Sequence, residues 1–423
     1  MGEAAGSRRR VGSDAENRSG LVIGPVATLL ISVSLLVLGN GLQGTLLVVR
    51  AGQEGFRGET IGAMMSAYFA GYALGSLLLP RVVGSAGHIR AFAGFASIAS
   101  AVPLMHLLLL DAPAWILLRA VTGFAYAGMI LVTESWLNAH AVRATRGRLL
   151  ALYGMVTMGV WALGQGALNL APTEGIVLFL VASVLVSFAL VPITLLPSRP
   201  PTIAGQAPLK LRRLLNTSPL GTLGAMTSGL ALGAFWGMGP RFAQDVGLDT
   251  AGISAFMAVV LLGALVLQWP LGWLSDRHPR RLVIAGACLG AALAGTGLAL
   301  AEQAGLPALL TLGFLFGGFG IPLYTLCVAH ANDRLRAEET LAAAQGLVLL
   351  NGLGAALGPI LASLEMRWLG PGGLFLHAAA LLTALMAVAL LRRWQGPAES
   401  TTTPLLPCTP QIALALDTRG EDR

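Results

Sequence analysis

Charged residues are scarce in this 423-residue sequence. Only 11% of the residues are Asp, Glu, Lys or Arg, whereas 55% are hydrophobic. A typical soluble domain contains about 25% charged residues, so we expect most of this protein's surface to contact something other than water. The net charge is +7, but the arginines are scattered among short polar segments and form no patch. A nucleic-acid partner is therefore not expected.

Cysteine is rare, and the usual catalytic groupings are absent from the sequence. The three cysteines, Cys288, Cys327 and Cys408, lie far apart and form no Cys-x-x-Cys pair, so neither a disulfide framework nor a zinc site is expected. The six histidines have no metal-ligand spacing, and the nucleotide-binding pattern G-x-x-x-x-G-K-[ST] is absent. We therefore expect no cofactor, no metal ion and no enzyme activity.

Long apolar runs make up most of the remaining sequence. A helix needs about 20 apolar residues to cross the hydrocarbon core of a bilayer, and twelve runs qualify. The expected fold is an all-α membrane protein with twelve transmembrane helices. In the first half the runs lie near 21–49, 60–80, 91–110, 112–137, 149–173 and 175–197. In the second half they lie near 215–240, 250–275, 282–301, 306–331, 341–364 and 371–391.

Polar segments separate these runs into two groups of six. The sequence predicts a disordered tail at 1–20, a six-helix bundle at 21–197, a linker at 198–214, a second six-helix bundle at 215–393 and a disordered tail at 394–423. Two similar groups of helices suggest an internal repeat, which is common in transporters.

The arginines indicate the orientation in the membrane. With a cytoplasmic N-terminus, the inner loops contain 14 Lys or Arg residues, whereas the outer loops contain only Arg50, Arg57, Arg241 and Arg367. Cytoplasmic loops of membrane proteins are enriched in Lys and Arg. We therefore expect a multi-pass protein of the plasma (inner) membrane with both termini in the cytoplasm.

The segment Gly272–Arg281 reads Gly-Trp-Leu-Ser-Asp-Arg-His-Pro-Arg-Arg and lies between the eighth and ninth runs. Its pattern G-x-x-x-D-R-x-x-R-R resembles the signature loop of the major facilitator superfamily of secondary transporters. The resemblance extends over about 21–393 and implies two pseudo-symmetric six-helix bundles with a gate at this loop. The gating residues that it implies are Gly272, Asp276, Arg277, Arg280 and Arg281.

Asp276 is the one carboxylate of this loop. We expect it to cap the next helix while it pairs with Arg280 or Arg281. The alternative is that these are ordinary inner-loop charges that only set orientation. The corresponding loop of the first half, Pro80–Arg90, has Gly84 in place of the carboxylate, so an acid–arginine latch would belong to the second half alone.

The fourth run contains Arg119-Ala-Val-Thr-Gly123, which resembles a second pattern of the same family, R-x-x-x-G. A cation within a membrane span is costly unless it has a partner or a water-filled cavity. Helix geometry places Arg119, Gly123, Tyr126 and Glu134 on one face, with Glu134 about 22 Å from Arg119. Glu134 is therefore expected to pair with an arginine at the inner end. The candidates are Arg146 and Arg148, which together with Glu134 are predicted gating residues. A proton-carrying role for Glu134 is the alternative.

Polar and aromatic residues recur every four positions along the fifth run, at Tyr153, Thr157, Trp161, Gln165 and Asn169. A polar stripe that faced lipid would be unusual, so we expect this stripe to line a cavity, with hydrogen bonding between helices as the alternative. The predicted cavity residues are Asn40, Gln43, Tyr68, Tyr72, Arg119, Tyr126, Tyr153, Thr157, Trp161, Gln165, Gln268, Tyr324 and Asn351.

Together these features predict a secondary transporter that works by alternating access. Export of an amphipathic or drug-like compound is the first expectation, and uptake or exchange of an anionic or sugar-like metabolite is the alternative. A polytopic receptor or membrane enzyme is the non-transport alternative. The expected partners are a small-molecule solute and the lipid bilayer. Protons are a candidate coupling ion, and a monomer is expected.

Overall fold

The structure is a computed structural model that describes part of the chain. The predicted linker falls within it only from residue 211, and the predicted tail at 394–423 lies outside the described residues. The described residues are 3–140, 146–195, 211–335 and 339–391, with the backbone alone for 3–23, 25, 146, 340 and 341.

All regular elements in these ranges are helical, which confirms the all-α prediction. The first helix begins at Glu3 and so includes most of the segment predicted to be a disordered tail. The helices are α1 (Glu3–Gln53), α2 (Gly58–Ala86), α3 (His88–Leu108), α4 (Ala112–His140), α5 (Arg146–Gly166) with a 3-10 helix (Ala167–Leu170), α6 (Val177–Thr194), α7 (Leu211–Thr217), α8 (Pro219–Asp245), α9 (Thr250–Arg277), α10 (Arg280–Leu300), α11 (Leu306–Gly320), α12 (Leu323–Asn332), α13 (Thr340–Leu369) and α14 (Gly373–Leu391).

Eleven helical stretches in the described ranges are long and apolar enough to cross a membrane. They match eleven of the twelve predicted runs, with α11 and α12 together forming the single stretch Leu306–Asn332. The remaining run, 215–240, corresponds to the 27-residue helix α8, which is long enough but less apolar. The sequence-based count of twelve membrane helices therefore agrees with the structure.

Helix α8 is less apolar because small residues cover the side that packs on α13. A Cβ atom at Gly229 would collide with the carbonyl of Asn351, and one at Gly233 would collide with the backbone of Ala355. Small residues let membrane helices approach closely and gain dispersion contacts that lipid alone would not supply. Helix α8 is therefore held in the interior mainly by its close packing on α13 and less by its own hydropathy.

Two further close crossings have the same geometry in the two halves. In the first half, a Cβ atom at Gly123 of α4 would collide with the carbonyl of Tyr68 in α2. In the second half, a Cβ atom at Gly317 of α11 would collide with the carbonyl of Val260 in α9. Glycine is needed at both positions because the facing atoms belong to the backbone, which cannot move aside as a side chain can.

Successive membrane helices alternate in direction, so their loops gather at two ends. We call the end with the α1–α2, α3–α4 and α13–α14 loops the predicted outer end, and the opposite end the predicted inner end. Contacts between loops support this grouping. The rings of Phe56 and Trp115 are 5.2 Å apart, and the amide of Gly372 donates to Glu302 Oε1 at 2.6 Å.

Polar contacts between α1–α6 and α8–α14 gather at the predicted outer end. Arg367 of α13 forms an ion pair with Glu59 of α2 at 3.0 Å. Ser254 of α9 donates to the carbonyl of Gln165 at 2.8 Å and accepts from Asn169 at 3.0 Å. These contacts hold the two groups of helices together on that side. The division into two domains at 198–214 stays a prediction.

Candidate functional site

Arg119 lies in the interior of the first six helices and is 1% exposed. Its guanidinium carbon is 4.2 Å from the ring centroid of Tyr68, and its Nη2 is 3.6 Å from the Sδ atom of Met65. Among the described residues, Nε and Nη1 have no hydrogen-bond partner. A desolvated cation–π contact stabilises a guanidinium by about 2 kcal/mol, less than the cost of burying a charge. The two remaining nitrogens are therefore poised to bind an acceptor.

The Arg119 group extends across three helices. The hydroxyl of Tyr68 in α2 donates to Asn40 Oδ1 in α1 at 3.2 Å. The hydroxyl of Tyr126 in α4 lies 3.5 Å from the carbonyl oxygen of Leu36 in α1, at the outer limit for a hydrogen bond. The structure thus brings together four of the predicted cavity residues. Tyr72 lies beside them, with its ring 6.3 Å from that of Tyr68.

Gln43 is a second buried group with unsatisfied atoms at the same depth. It is 1% exposed, and its amide nitrogen and oxygen have no hydrogen-bond partner among the described residues. Gln43 follows Leu36 by seven residues, and Arg119 precedes Tyr126 by seven. Because α1 and α4 run in opposite directions, both steps lead about 10 Å towards the predicted outer end along the same helix faces. Gln43 and Arg119 therefore lie at a similar depth along their helices.

The polar stripe of α5 has several different roles. Thr157 donates to the carbonyl of Tyr153 in its own helix at 2.8 Å, which supports no cavity role. Gln165 accepts a hydrogen bond from Thr45 of α1 at 2.5 Å, as the alternative of helix–helix hydrogen bonding predicts. Asn169 reaches α9 through Ser254.

Trp161 is the member of the stripe that reaches the other half at the level of the site. Its ring stacks on that of Trp236 in α8, with centroids 4.5 Å apart and planes inclined by 25°. Both indoles are half-buried. Trp236 was not among the predicted residues, because α8 has no periodic polar pattern that would single it out.

The second half contributes little polarity to this region. Asn351 donates to the carbonyl of Ala225 at 3.1 Å, which joins α13 to α8, Tyr324 is buried in α12, and Gln268 is half-buried in α9. Phenylalanine rings fill the interior instead, with neighbouring centroids 4.7 to 6.3 Å apart. The members of this phenylalanine cluster are Phe235, Phe242, Phe256, Phe316 and Phe375.

The predicted gating loop forms an ion-pair group around Arg280. Arg280 Nε is 2.8 Å from Asp333 Oδ2, whereas its Nη2 is 3.5 Å from Asp276 Oδ1. Burial raises the pKa of Asp333 above its usual value, and the charge of Arg280 counteracts part of this rise. Sequence reasoning missed Asp333, which lies 53 residues beyond Arg280 in the chain. Both carboxylates belong to the second half.

The expected capping by Asp276 is wrong. Helix α10 has Pro279 at its N-cap position and no side-chain hydrogen bond there. Asp276 instead lies in the last turn of α9, and its side chain is 40% exposed. Arg277 stacks on Trp273, with its guanidinium carbon 4.0 Å from a ring centroid, and the neighbouring Gly272 is half-buried. Arg281 is half-buried beside this group.

Glu134 is buried near the predicted inner end. Its Oε1 accepts a hydrogen bond from Tyr153 at 3.1 Å, a contact that sequence reasoning did not anticipate. Arg148 is exposed, and the side chain of Arg146 lies outside the described residues. The pairing of Glu134 with one of these arginines stays a prediction.

Comparison with known proteins identifies the family. Residues 221–410 match the sequence model of the Major Facilitator Superfamily. The uncharacterized MFS-type transporter YcaD of Escherichia coli (strain K12 / DH10B) is 30% identical over 388 residues, which cover 87% of this chain and 95% of YcaD. The chain belongs to the major facilitator superfamily. An uncharacterized MFS-type transporter of Enterobacter sp. (strain 638) is 28% identical over 376 residues, which cover 88% of this chain and 97% of that protein.

Solved structures of other family members have the same fold. The nucleoside transporter NupG gives a TM-score of 0.72 at 15% identity and covers 89% of this chain and 100% of its own. A bacterial homolog of the human lysosomal transporter Spinster, in an inward-facing and occupied conformation, gives 0.69 at 13% identity and covers 90% and 99%. Membership of this family makes the present protein a multi-pass membrane transporter for small molecules and not an enzyme.

Proposed function

We propose that this member of the superfamily is a secondary transporter of the plasma membrane that moves an organic solute by alternating access, with Arg119 binding an acceptor group of that solute. The observation that carries the proposal is the buried guanidinium with two unsatisfied nitrogens. Carboxylates and phosphates are the groups that a guanidinium binds best, because two parallel hydrogen bonds form. The amide of Gln43 would complete the hydrogen bonding of such a group.

Alternating access is supported by a small set of polar contacts that join the halves at the predicted outer end. The ion pair Glu59–Arg367 and the hydrogen bonds of Ser254 belong to this set. Rocking of one half against the other would break these contacts and open the interior on that side.

The remaining parts of the proposal follow from the sequence. Both termini are placed in the cytoplasm by the arginine distribution. Export, a monomeric state and protons as coupling ion stay predictions, with Glu134 as the buried acid nearest to the span interiors. Between the two solute classes expected from the sequence, the unsatisfied nitrogens of Arg119 favour one that carries an anionic or other strong acceptor group.

Ligand-induced thermal stabilisation tests this assignment. Purified protein is heated with benzoate or phenylacetate, and with the uncharged benzamide or phenylacetamide. We expect the carboxylates to raise the unfolding temperature and the amides to have little effect, and we expect Arg119→Gln to abolish the difference. Arg57→Gln is the matched control, since Arg57 is 71% exposed at the predicted outer end. Equal stabilisation of wild type and Arg119→Gln by the carboxylates would contradict the proposal, and uptake of labelled carboxylate into proteoliposomes would confirm transport.

A further inference from the structure

Among the described residues, one aromatic stack joins the two halves in the interior. Trp161 of α5 and Trp236 of α8 have ring centroids 4.5 Å apart and planes inclined by 25°. Trp161 lies nine residues before Leu170 and Trp236 nine before Asp245, so both lie about 13 Å from the predicted outer end. Phe235 packs edge-on against Trp236 at 4.9 Å. Each half therefore contributes one indole at the same depth.

This stack adjoins the Arg119 group through a single turn of α1. A Cβ atom at Gly41 would lie 2.6 Å from Cδ1 of Trp161, so only glycine leaves room for the indole there. The next residue towards the N-terminus, Asn40, binds the Tyr68 hydroxyl, and the Tyr68 ring contacts Arg119. A helix with its side chains is about 10–12 Å wide. The aromatic stack and the cation thus lie on two sides of one helix turn, about one helix width apart.

We propose that Trp161 and Trp236 form the aromatic part of the binding site and select solutes that carry a planar ring about one helix width from an acceptor group. The inference rests on the proposed function, because the acceptor group is the one assigned to Arg119. When the halves separate, each indole loses its stacking partner and exposes an aromatic face. A planar ring restores that contact, whereas a saturated ring of similar size lacks the flat face and the quadrupole.

The preference for a planar ring is tested with pairs of carboxylates that differ only in whether the ring is aromatic or saturated. 6-Phenylhexanoate is compared with 6-cyclohexylhexanoate, and 7-phenylheptanoate with 7-cyclohexylheptanoate, by titration calorimetry on the purified full chain, because their chains span about one helix width between ring and carboxylate. Aromatic pairing of ordinary strength corresponds to a difference of roughly two- to tenfold in affinity, so we expect the aromatic acid to bind more tightly by that factor.

Substitutions then assign the selection to the two indoles. Trp161→Leu and Trp236→Leu are expected to reduce the affinity ratio to about one, whereas Trp161→Phe, which retains an aromatic face, is expected to keep most of it. Trp269→Leu is the control, because Trp269 is 76% exposed on α9. Should a leucine variant not fold, quenching of tryptophan fluorescence in the wild type gives a second measurement. 6-Phenylhexanoate is expected to quench this fluorescence, whereas 6-cyclohexylhexanoate is expected to leave it unchanged.

The outcomes separate this inference from the proposed function. Equal affinity for aromatic and saturated acids, with both lost in Arg119→Gln, would overturn the role of the indoles and leave the role of Arg119 intact. A preference for the aromatic acid that persists in both leucine variants would also overturn it. Binding that is insensitive to Arg119→Gln would instead overturn the proposed function.

Discussion

Arg119 in the first half and Gly313 in the second occupy the same place beside matching helix crossings. Each lies four residues before the crossing glycine, Gly123 or Gly317. In the first half the guanidinium occupies the space against α2, where it meets Met65 and Tyr68. In the second half Gly313 has no side chain, and the ring of Phe256 fills that space, 3.0 Å from where a Cβ atom would lie.

The difference shows how a repeated backbone can be given two functions. Each crossing needs a glycine at the corresponding position, because a backbone carbonyl of one helix lies directly against the other helix. The residue one turn away is free to differ, and here it is a cation in one half and glycine under a phenylalanine ring in the other. We infer that the first half provides electrostatic recognition and that the second half provides a rigid apolar wall.

The largest expected effect comes from Phe256→Ala in the second half. Removing a buried aromatic ring leaves a cavity and typically lowers the free energy of unfolding by about 3–5 kcal/mol. The cluster of five phenylalanines would lose one ring, while Arg119 would remain in place. Thermal unfolding should therefore show a large loss of stability with the affinity for benzoate nearly unchanged. A loss of benzoate affinity equal to that in Arg119→Gln would break the proposed division between the halves.

A smaller effect is expected from Gly123→Ala and Gly317→Ala. Each added Cβ atom collides with a backbone carbonyl, and overpacking of this kind costs about 1–3 kcal/mol. The two variants should lose similar stability because their crossings match. Gly94→Ala is the control, since a Cβ atom there would meet nothing within 4 Å. Unfolding temperatures that fall in one half only would show that the crossings are not equivalent.

Arg119→Met should change stability less and in the opposite direction. The cost of burying the guanidinium is several kcal/mol, and the cation–π contact offsets part of it, so we expect a gain on the order of 1 kcal/mol. Carboxylate binding should be lost at the same time. Destabilisation together with retained benzoate binding would show that the charge has a structural partner. Titration calorimetry and thermal unfolding on the same sample give both results.

The smallest effect is expected at the predicted inner end, from Asp333→Asn. Burial raises the folded-state pKa of Asp333, so the folded protein binds a proton there more readily than the unfolded chain. Its contribution to stability is thus present at low pH and is lost as the pH rises through the folded-state pKa. Asp333→Asn should flatten the dependence of unfolding temperature on pH. A pH profile identical to that of the wild type would contradict this assignment.

The sequence predicted features that depend on local pattern. Apolar runs of sufficient length predicted the membrane helices. Helix α8 was among them, although its packing on α13 contributes more than its hydropathy to its place in the interior. The burial of Arg119 was also expected, because a cation within an apolar run has few alternatives. Contacts that depend on distant parts of the chain were not found. Asp333 and Trp236 gave no signal because neither belongs to a periodic pattern or a recognised motif.

The sequence by itself determined that this protein is an all-helical membrane protein, since hydropathy and loop charge act residue by residue along the chain. Its resemblance to the major facilitator superfamily implied the transport function. The tertiary structure decided which groups meet. It placed Tyr68 and Met65 on Arg119 because Gly123 lets α2 and α4 touch, and it placed Trp161 on Trp236 because Gly41 leaves room for an indole. Such contacts depend on distances of a few ångströms between separate helices, which the order of residues does not contain.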